Sequence, residues 1–143
     1  MGKREAIGFE IKILSNLMKR KIDHMTAEEE TDITSMHSWI IVYLYNNQDK
    51  DIYQKDIEEH FTIRRSTVTS MLQLMEKKGL IIRQFVSGDA RLKKLVLTEK
   101  SLVIYERMCF RLDRFEENLI TGISDEELEV FLRVIQRMKQ NVE

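Results

Sequence analysis

Proline is missing altogether and glycine occurs five times in 143 residues, so the chain has few of the residues that break helices or build long loops. Cysteine occurs once, at Cys109. That excludes an intrachain disulfide and any metal site built on paired cysteines, and it suits a reducing, cytoplasmic setting. No apolar run approaches the roughly 18 residues of a membrane span, and Met1 to Phe9 lacks the apolar core and small-residue cleavage site of an export signal. A protein neither exported nor membrane-spanning is expected. There is no G-x-S-x-G, no P-loop, no dinucleotide fingerprint, no internal repeat and no low-complexity segment, so neither an enzyme nor a cofactor is expected. What remains is 43% hydrophobic and 33% charged, the composition of a soluble chain built of a few long elements.

The net charge of −1 conceals segregation. Residues 1–49 hold six basic and eight acidic side chains, 50–100 hold eleven and seven, and 101–143 hold six and nine, giving −2, +4 and −3. A basic middle between acidic ends is what a lobe contacting nucleic acid would show, and it also arises by chance in enzymes.

Apolar residues at helical spacing (Ile7, Ile11, Leu14, Met18, Ile22, Met25) predict a long first helix. After the acidic stretch Thr26 to Asp32, Met36, Ile40, Tyr43 and Leu44 predict a second, ending near Asn46 and Asn47. Gln54 to His60 reads as a short helix, and Arg65 to Lys78 as a longer one with Val68, Met71, Leu72 and Met75 on its core face, closed by Gly79. Leu80 to Val86 and Leu92 to Leu97 read as a β-hairpin with the polar tip Ser87 to Ala90. Thr98 is placed to cap a long helix ending at Gly122. A capping box of Ser124 and Glu127 opens the last helix, with Leu128, Phe131, Leu132, Ile135 and Met138 on one face. The predicted architecture is mainly α with a small β-hairpin wing, a winged helix-turn-helix with long N- and C-terminal helices.

On the helix after the tight turn, about 100° per residue turns Ser66, Thr69, Ser70, Gln73 and Lys77 away from the core. Hydroxyl and amide side chains suit base edges and phosphates better than the Glu and Lys of an ordinary solvated face. Arg64 and Arg65 open this helix where the helix dipole disfavours cations. A phosphate would compensate, and two flexible surface arginines are an equal reading of these residues alone. At the hairpin tip Asp89 is placed to fix the Arg91 guanidinium by a charge-assisted hydrogen bond, so that Arg91 enters a minor groove. Lys93 and Lys94 add charge, one on each face of the strand.

The runs Thr67-Val68-Thr69-Ser70-Met71, Leu74-Met75-Glu76-Lys77-Lys78-Gly79-Leu80-Ile81 and Asp89-Ala90-Arg91-Leu92-Lys93-Lys94-Leu95-Val96-Leu97-Thr98 resemble the MarR family of bacterial regulators, most clearly over residues 50–100. The resemblance implies one domain over 1–143, with a helical dimerisation region at 1–33 and 99–143 and a DNA-binding lobe at 34–98. It implies a homodimer, a transcription factor acting as a repressor, on double-stranded DNA with a near-palindromic operator and half-sites about 10 bp apart. Arg65, Ser66, Thr67, Thr69, Ser70 and Gln73 are carried over as helix contacts, joined by Arg64, and Asp89, Arg91 and Lys93 as wing contacts. Arg64 departs from the small capping residue of many members, Ser70 and Leu74 from basic residues, and Ser101 from a frequent glycine. A small phenolic or other amphipathic effector is also implied, with Trp39, Tyr43, Met36 and His37 as candidate lining or plain core. His24 and Glu28 form an i, i+4 pair without a third ligand, so no metal is expected, and Cys109 reads as a small core hydrophobe. The alternative from another class is a winged-helix module that meets an acidic protein.

Overall fold

The structure is a computed structural model that describes residues 3–27 and 33–143. Among the described residues six helices and one hairpin follow in the order α1 (Lys3–Ala27), α2 (Ser35–Asn46), α3 (Gln54–Phe61), α4 (Arg65–Lys77), β1 (Ile81–Val86), β2 (Asp89–Leu97), α5 (Glu99–Leu119) and α6 (Asp125–Val142). The chain forms two compact units, Met1–Phe110 and Arg111–Glu143.

In the first unit α3 packs on α4, α4 on β1, α2 on β2 and α1 on α2. Ile40, Ile41, Ile57, Val68, Leu72, Met75 and Ile81 are fully buried between these elements. Each contributes about 1.5–3 kcal/mol by leaving water, which is what holds short helices such as α3 in place. Val68, Leu72 and Met75 lie on the expected core face of α4, while Met71 is only half-buried. Among the described residues no helix is long and apolar enough to cross a membrane.

Local chemistry sets the helix ends. Gly79, at φ 72°, ends α4 with the Leu80 N–H donating to the Met75 carbonyl at 2.8 Å. Gly122, at φ 80°, follows α5, and the Ser124–Glu127 box opens α6 with bonds of 2.9 and 3.1 Å. The α3–α4 turn has no glycine: Thr62 takes φ 54°, ψ 53°, a left-handed conformation costing a β-branched residue on the order of 1–2 kcal/mol. The Ile63 N–H, donating to the Glu58 carbonyl at 3.0 Å, closes that turn.

Thr98 caps α5 with a partner that the sequence pattern does not reveal. The Thr98 N–H donates to Ser101 Oγ at 2.8 Å, and the Ser101 N–H donates to Thr98 Oγ1 at 3.2 Å. Thr98 Oγ1 in turn donates to the Gly79 carbonyl at 2.6 Å, tying the start of α5 to the end of α4. Ser101 is fully buried, so Ser101→Ala leaves the Thr98 N–H without its acceptor. A loss of about 1 kcal/mol is expected in urea unfolding, with the unfolding slope unchanged.

The hairpin departs from expectation at its tip. The turn is the two residues Ser87 and Gly88, with Gly88 at φ 103°, and β2 already begins at Asp89. Register runs evenly from Ile81 opposite Leu97 to Phe85 opposite Lys93, then jumps so that Val86 faces Asp89. Residues 90–92 form a bulge on β2, which bends the strand and re-aims what it carries. A bulge of this size leaves no mark in the alternation of side chains, so the sequence reads as a longer tip.

Not every predicted apolar stripe is covered. On α1, Ile22 is buried, but Ile7, Ile11 and Leu14 are 46%, 45% and 43% exposed. On α6, Phe131 and Leu132 are exposed, and no residue of that helix is buried.

Candidate nucleic-acid interface

Arg64 is the N-cap of α4 and makes no side-chain cap bond, and the first turn holds no acidic residue. The first N–H groups of the helix are therefore unsatisfied by side chains, and they point the same way as the positive end of the helix dipole. Arg64 and Arg65 are exposed, and neither guanidinium has an ion-pair partner among the described residues. Donors and cations without anions make this end of α4 suited to a phosphate.

Along the outer face Ser66, Thr67, Ser70 and Gln73 are exposed and Thr69 is half-buried. The hydroxyls are held by their own helix: Thr69 Oγ1 donates to the Arg65 carbonyl at 2.9 Å and Ser70 Oγ to the Ser66 carbonyl at 3.2 Å. Gln54, the first residue of α3, donates from Nε2 to Thr69 Oγ1 at 2.8 Å across the helix-turn-helix.

On the wing, Arg91 sits in the bulge with its side chain 94% exposed. Asp89 orients it differently from the expected hydrogen bond. The carboxylate accepts the backbone N–H of Arg91 at 2.9 Å, while the guanidinium Nε stays 3.8 Å away. Two residues of separation favour this local turn closure, since an Asp side chain reaches the N–H two positions on at little entropic cost. Asp89 thus fixes the backbone under Arg91 and leaves the guanidinium unengaged by hydrogen bonds at the tip.

The two lysines diverge, as alternation requires. Lys93 lies over the Phe85 ring, 4.8 Å from its centroid, opposite it in register. Lys94 pairs with Asp51 of the α2–α3 loop at 3.3 Å, and the neighbouring Leu95 N–H donates to the Ile52 carbonyl at 2.7 Å. On β1, Arg83 Nε pairs with Glu76 of α4 at 3.1 Å. These partners, with Gln54, are absent from the sequence-derived site. Wing and helix are therefore tied together at the base while Arg91 and Lys93 stay exposed. A cavity of about 200 Å³ opens beside this anchor, lined by Leu44, Ile52, Lys94 and Leu102 among others.

Other candidates have structural occupations. His37 is buried and belongs to the cap of α2: its Nδ1 accepts the Thr34 N–H at 3.3 Å, and its own N–H donates to Thr34 Oγ1 at 3.3 Å. Tyr43 lies against His60 with ring centroids 4.3 Å apart and the rings tilted by 32°, and meets Phe61 edge-on at 5.8 Å. Burial, and secondarily the charge of Asp56, raise the Tyr43 phenol above its ordinary pKa. Trp39 and Met36 are half-buried, as is Cys109. Of the pair His24 and Glu28, the glutamate lies outside the described residues. Among the described residues no group of three or more His, Cys, Asp or Glu could hold a metal.

Comparison with known proteins agrees with the fold. The transcription regulator MarR from Oenococcus oeni PSU-1 is 32% identical, with a TM-score of 0.81 over 94% of this chain and 98% of that one. MepR of Staphylococcus aureus in its DNA complex is 25% identical, with a TM-score of 0.89 over 99% of this chain and 100% of that one. MepR in its DNA-binding conformation gives 27% and 0.84 over 96% of this chain and 98% of that one. A family model described as MarR family matches residues 31–92, a stretch that takes in α2, α3, α4, β1 and the start of β2. With helix order, hairpin, near-complete coverage and family model in agreement, the chain belongs to the MarR family of winged-helix transcription regulators.

Proposed function

We propose that the chain is a sequence-specific, double-stranded-DNA-binding transcriptional repressor. The observation that carries this reading is the combination on one lobe of an outer helix face of hydroxyls and amides, a cationic helix N-terminus without acidic partners, and an arginine exposed on a bulged wing. Arg64 and Arg65 take backbone phosphates, with Ser66, Thr67, Thr69, Ser70 and Gln73 along the major groove. Arg91 reaches the minor groove, with Asp89 fixing its backbone and Lys93 adding a phosphate contact. The DNA complex of MepR, similar over the whole of this chain, supports the reading.

The working unit is a homodimer on a near-palindromic operator, with half-sites about 10 bp apart. The uncovered apolar residues of α1 and those of α6 support it, because exposed apolar surface of that kind marks an association face. Residues 1–33 and 99–143 are the dimerisation region of this proposal, and 34–98 the reading lobe. A small amphipathic effector relieves repression. The cavity beside Lys94 supports this part, since a molecule seated there would press on the Asp51 contact that anchors the wing.

The test is binding of the purified protein to its own upstream DNA over a salt series, with random duplex as competitor. Three cationic side chains per protomer on phosphates, Arg64, Arg65 and Lys93, give a log–log salt slope of roughly −5 for the dimer. Tight binding that survives competitor is the expected result. Equal, weak binding to this DNA and to duplexes from a genome-wide fragment selection overturns the reading in favour of a module that meets an acidic protein.

A further inference from the structure

We propose that Gln54, which lies on α3 rather than on the recognition helix, sets which base Thr69 accepts, by fixing the direction of its hydroxyl proton. This deepens the DNA-reading proposal and rests on it. A threonine hydroxyl has one proton and two lone pairs, and a freely rotating one can donate to or accept from a base edge. Thr69 is not free. Its proton is committed to the Arg65 carbonyl at 2.9 Å, and one lone pair receives the Gln54 amide at 2.8 Å. One lone pair and the methyl group remain.

That remainder has a definite chemistry in a major groove. It can accept from the amino groups of adenine or cytosine, and its methyl can lie against the methyl of thymine. It cannot donate to the O6 and N7 acceptors of guanine without surrendering the bond to Arg65. Thr69 held in this way discriminates against guanine at its position. Ser70 is the contrast on the same helix. Among the described residues its hydroxyl bonds only to the Ser66 carbonyl, at 3.2 Å, with no second side chain fixing it. Gln54 is thus a positioning residue, acting on specificity through Thr69.

The experiment selects sites from a duplex library with a randomised centre, using the full-length wild type, Gln54→Met, Gln54→Ala and Thr69→Val. Methionine keeps the length and packing of the glutamine while removing the amide, so a purely structural role survives in that variant and a polarity role does not. The expected result is a defined wild-type site in which one position per half-site excludes guanine on the strand that Thr69 contacts. In Gln54→Met and Gln54→Ala, exclusion at that pair relaxes about tenfold, the scale of one mismatched base pair. The salt slope and melting temperature stay at wild-type values, and Thr69→Val changes the same pair. A wild-type profile in Gln54→Met, or relaxation at a pair other than the one changed by Thr69→Val, overturns the inference and leaves the DNA-reading proposal standing. A wild type that selects no site overturns that proposal and this inference with it.

Discussion

Arg91→Ala lowers affinity for the operator by about 1–3 kcal/mol, a factor of ~5 to ~150, while the melting temperature stays within a few degrees of wild type. Both halves of the result follow from placement. The side chain is 94% exposed and packs against no core, so its truncation removes no buried area. It stands on a bulge whose backbone is already fixed by the Asp89 carboxylate at 2.9 Å, so when it enters a groove the side chain is ordered but little backbone entropy is lost. Titrating the variant against operator and random duplex separates two roles. A larger loss on the operator marks shape readout of a narrow minor groove, whereas an equal loss on both marks a phosphate contact. An unchanged affinity on both would remove Arg91 from the interface.

Leu72→Ala destabilises the lobe by about 2–5 kcal/mol, a large share of what a domain of this size has to spare. Leu72 is fully buried on α4, where that helix packs on α3 and β1. The void cannot collapse easily, because α4 is held at its far end by the Gly79 turn and the Thr98 bond, and at its side by the Arg83–Glu76 pair. Chemical denaturation followed by circular dichroism measures the loss. A shift of the midpoint with the slope preserved is the expected form. DNA affinity falls in parallel only where the folded fraction falls, which distinguishes Leu72 from Arg91.

Much of the candidate site was legible because it depends on short-range rules. Val68, Leu72 and Met75 at helical spacing identify the buried face of α4, and the outward set from Ser66 to Gln73 follows from rotation about the same axis. Alternation separates Lys93 from Lys94, and the structure places them with Phe85 and Asp51 respectively. The tip was less legible. Residues 90–92 carry no glycine or proline to announce a bulge, and Thr62 takes a left-handed conformation that its side chain disfavours. Both arise because the ladder and the packing of α3 on α4 outweigh a local cost of 1–2 kcal/mol or so.

The sequence dictated the elements and, outside the hairpin tip and the α3–α4 turn, their ends: helical and strand periodicities, the glycines at 79 and 122, and the Ser124–Glu127 box all act within a few residues. It also determined the family, through runs that keep their spacing from Thr67 to Thr98. Which distant groups meet is a matter of packing. Gln54 with Thr69, Arg83 with Glu76, Lys94 with Asp51 and Thr98 with Gly79 are separated by 15, 7, 43 and 19 residues. Such pairings depend on how α4, the wing and the α2–α3 loop settle around Ile57, Leu72 and Met75. A hydrogen bond forms or fails over a few tenths of an ångström, and only the packed core sets distances to that tolerance.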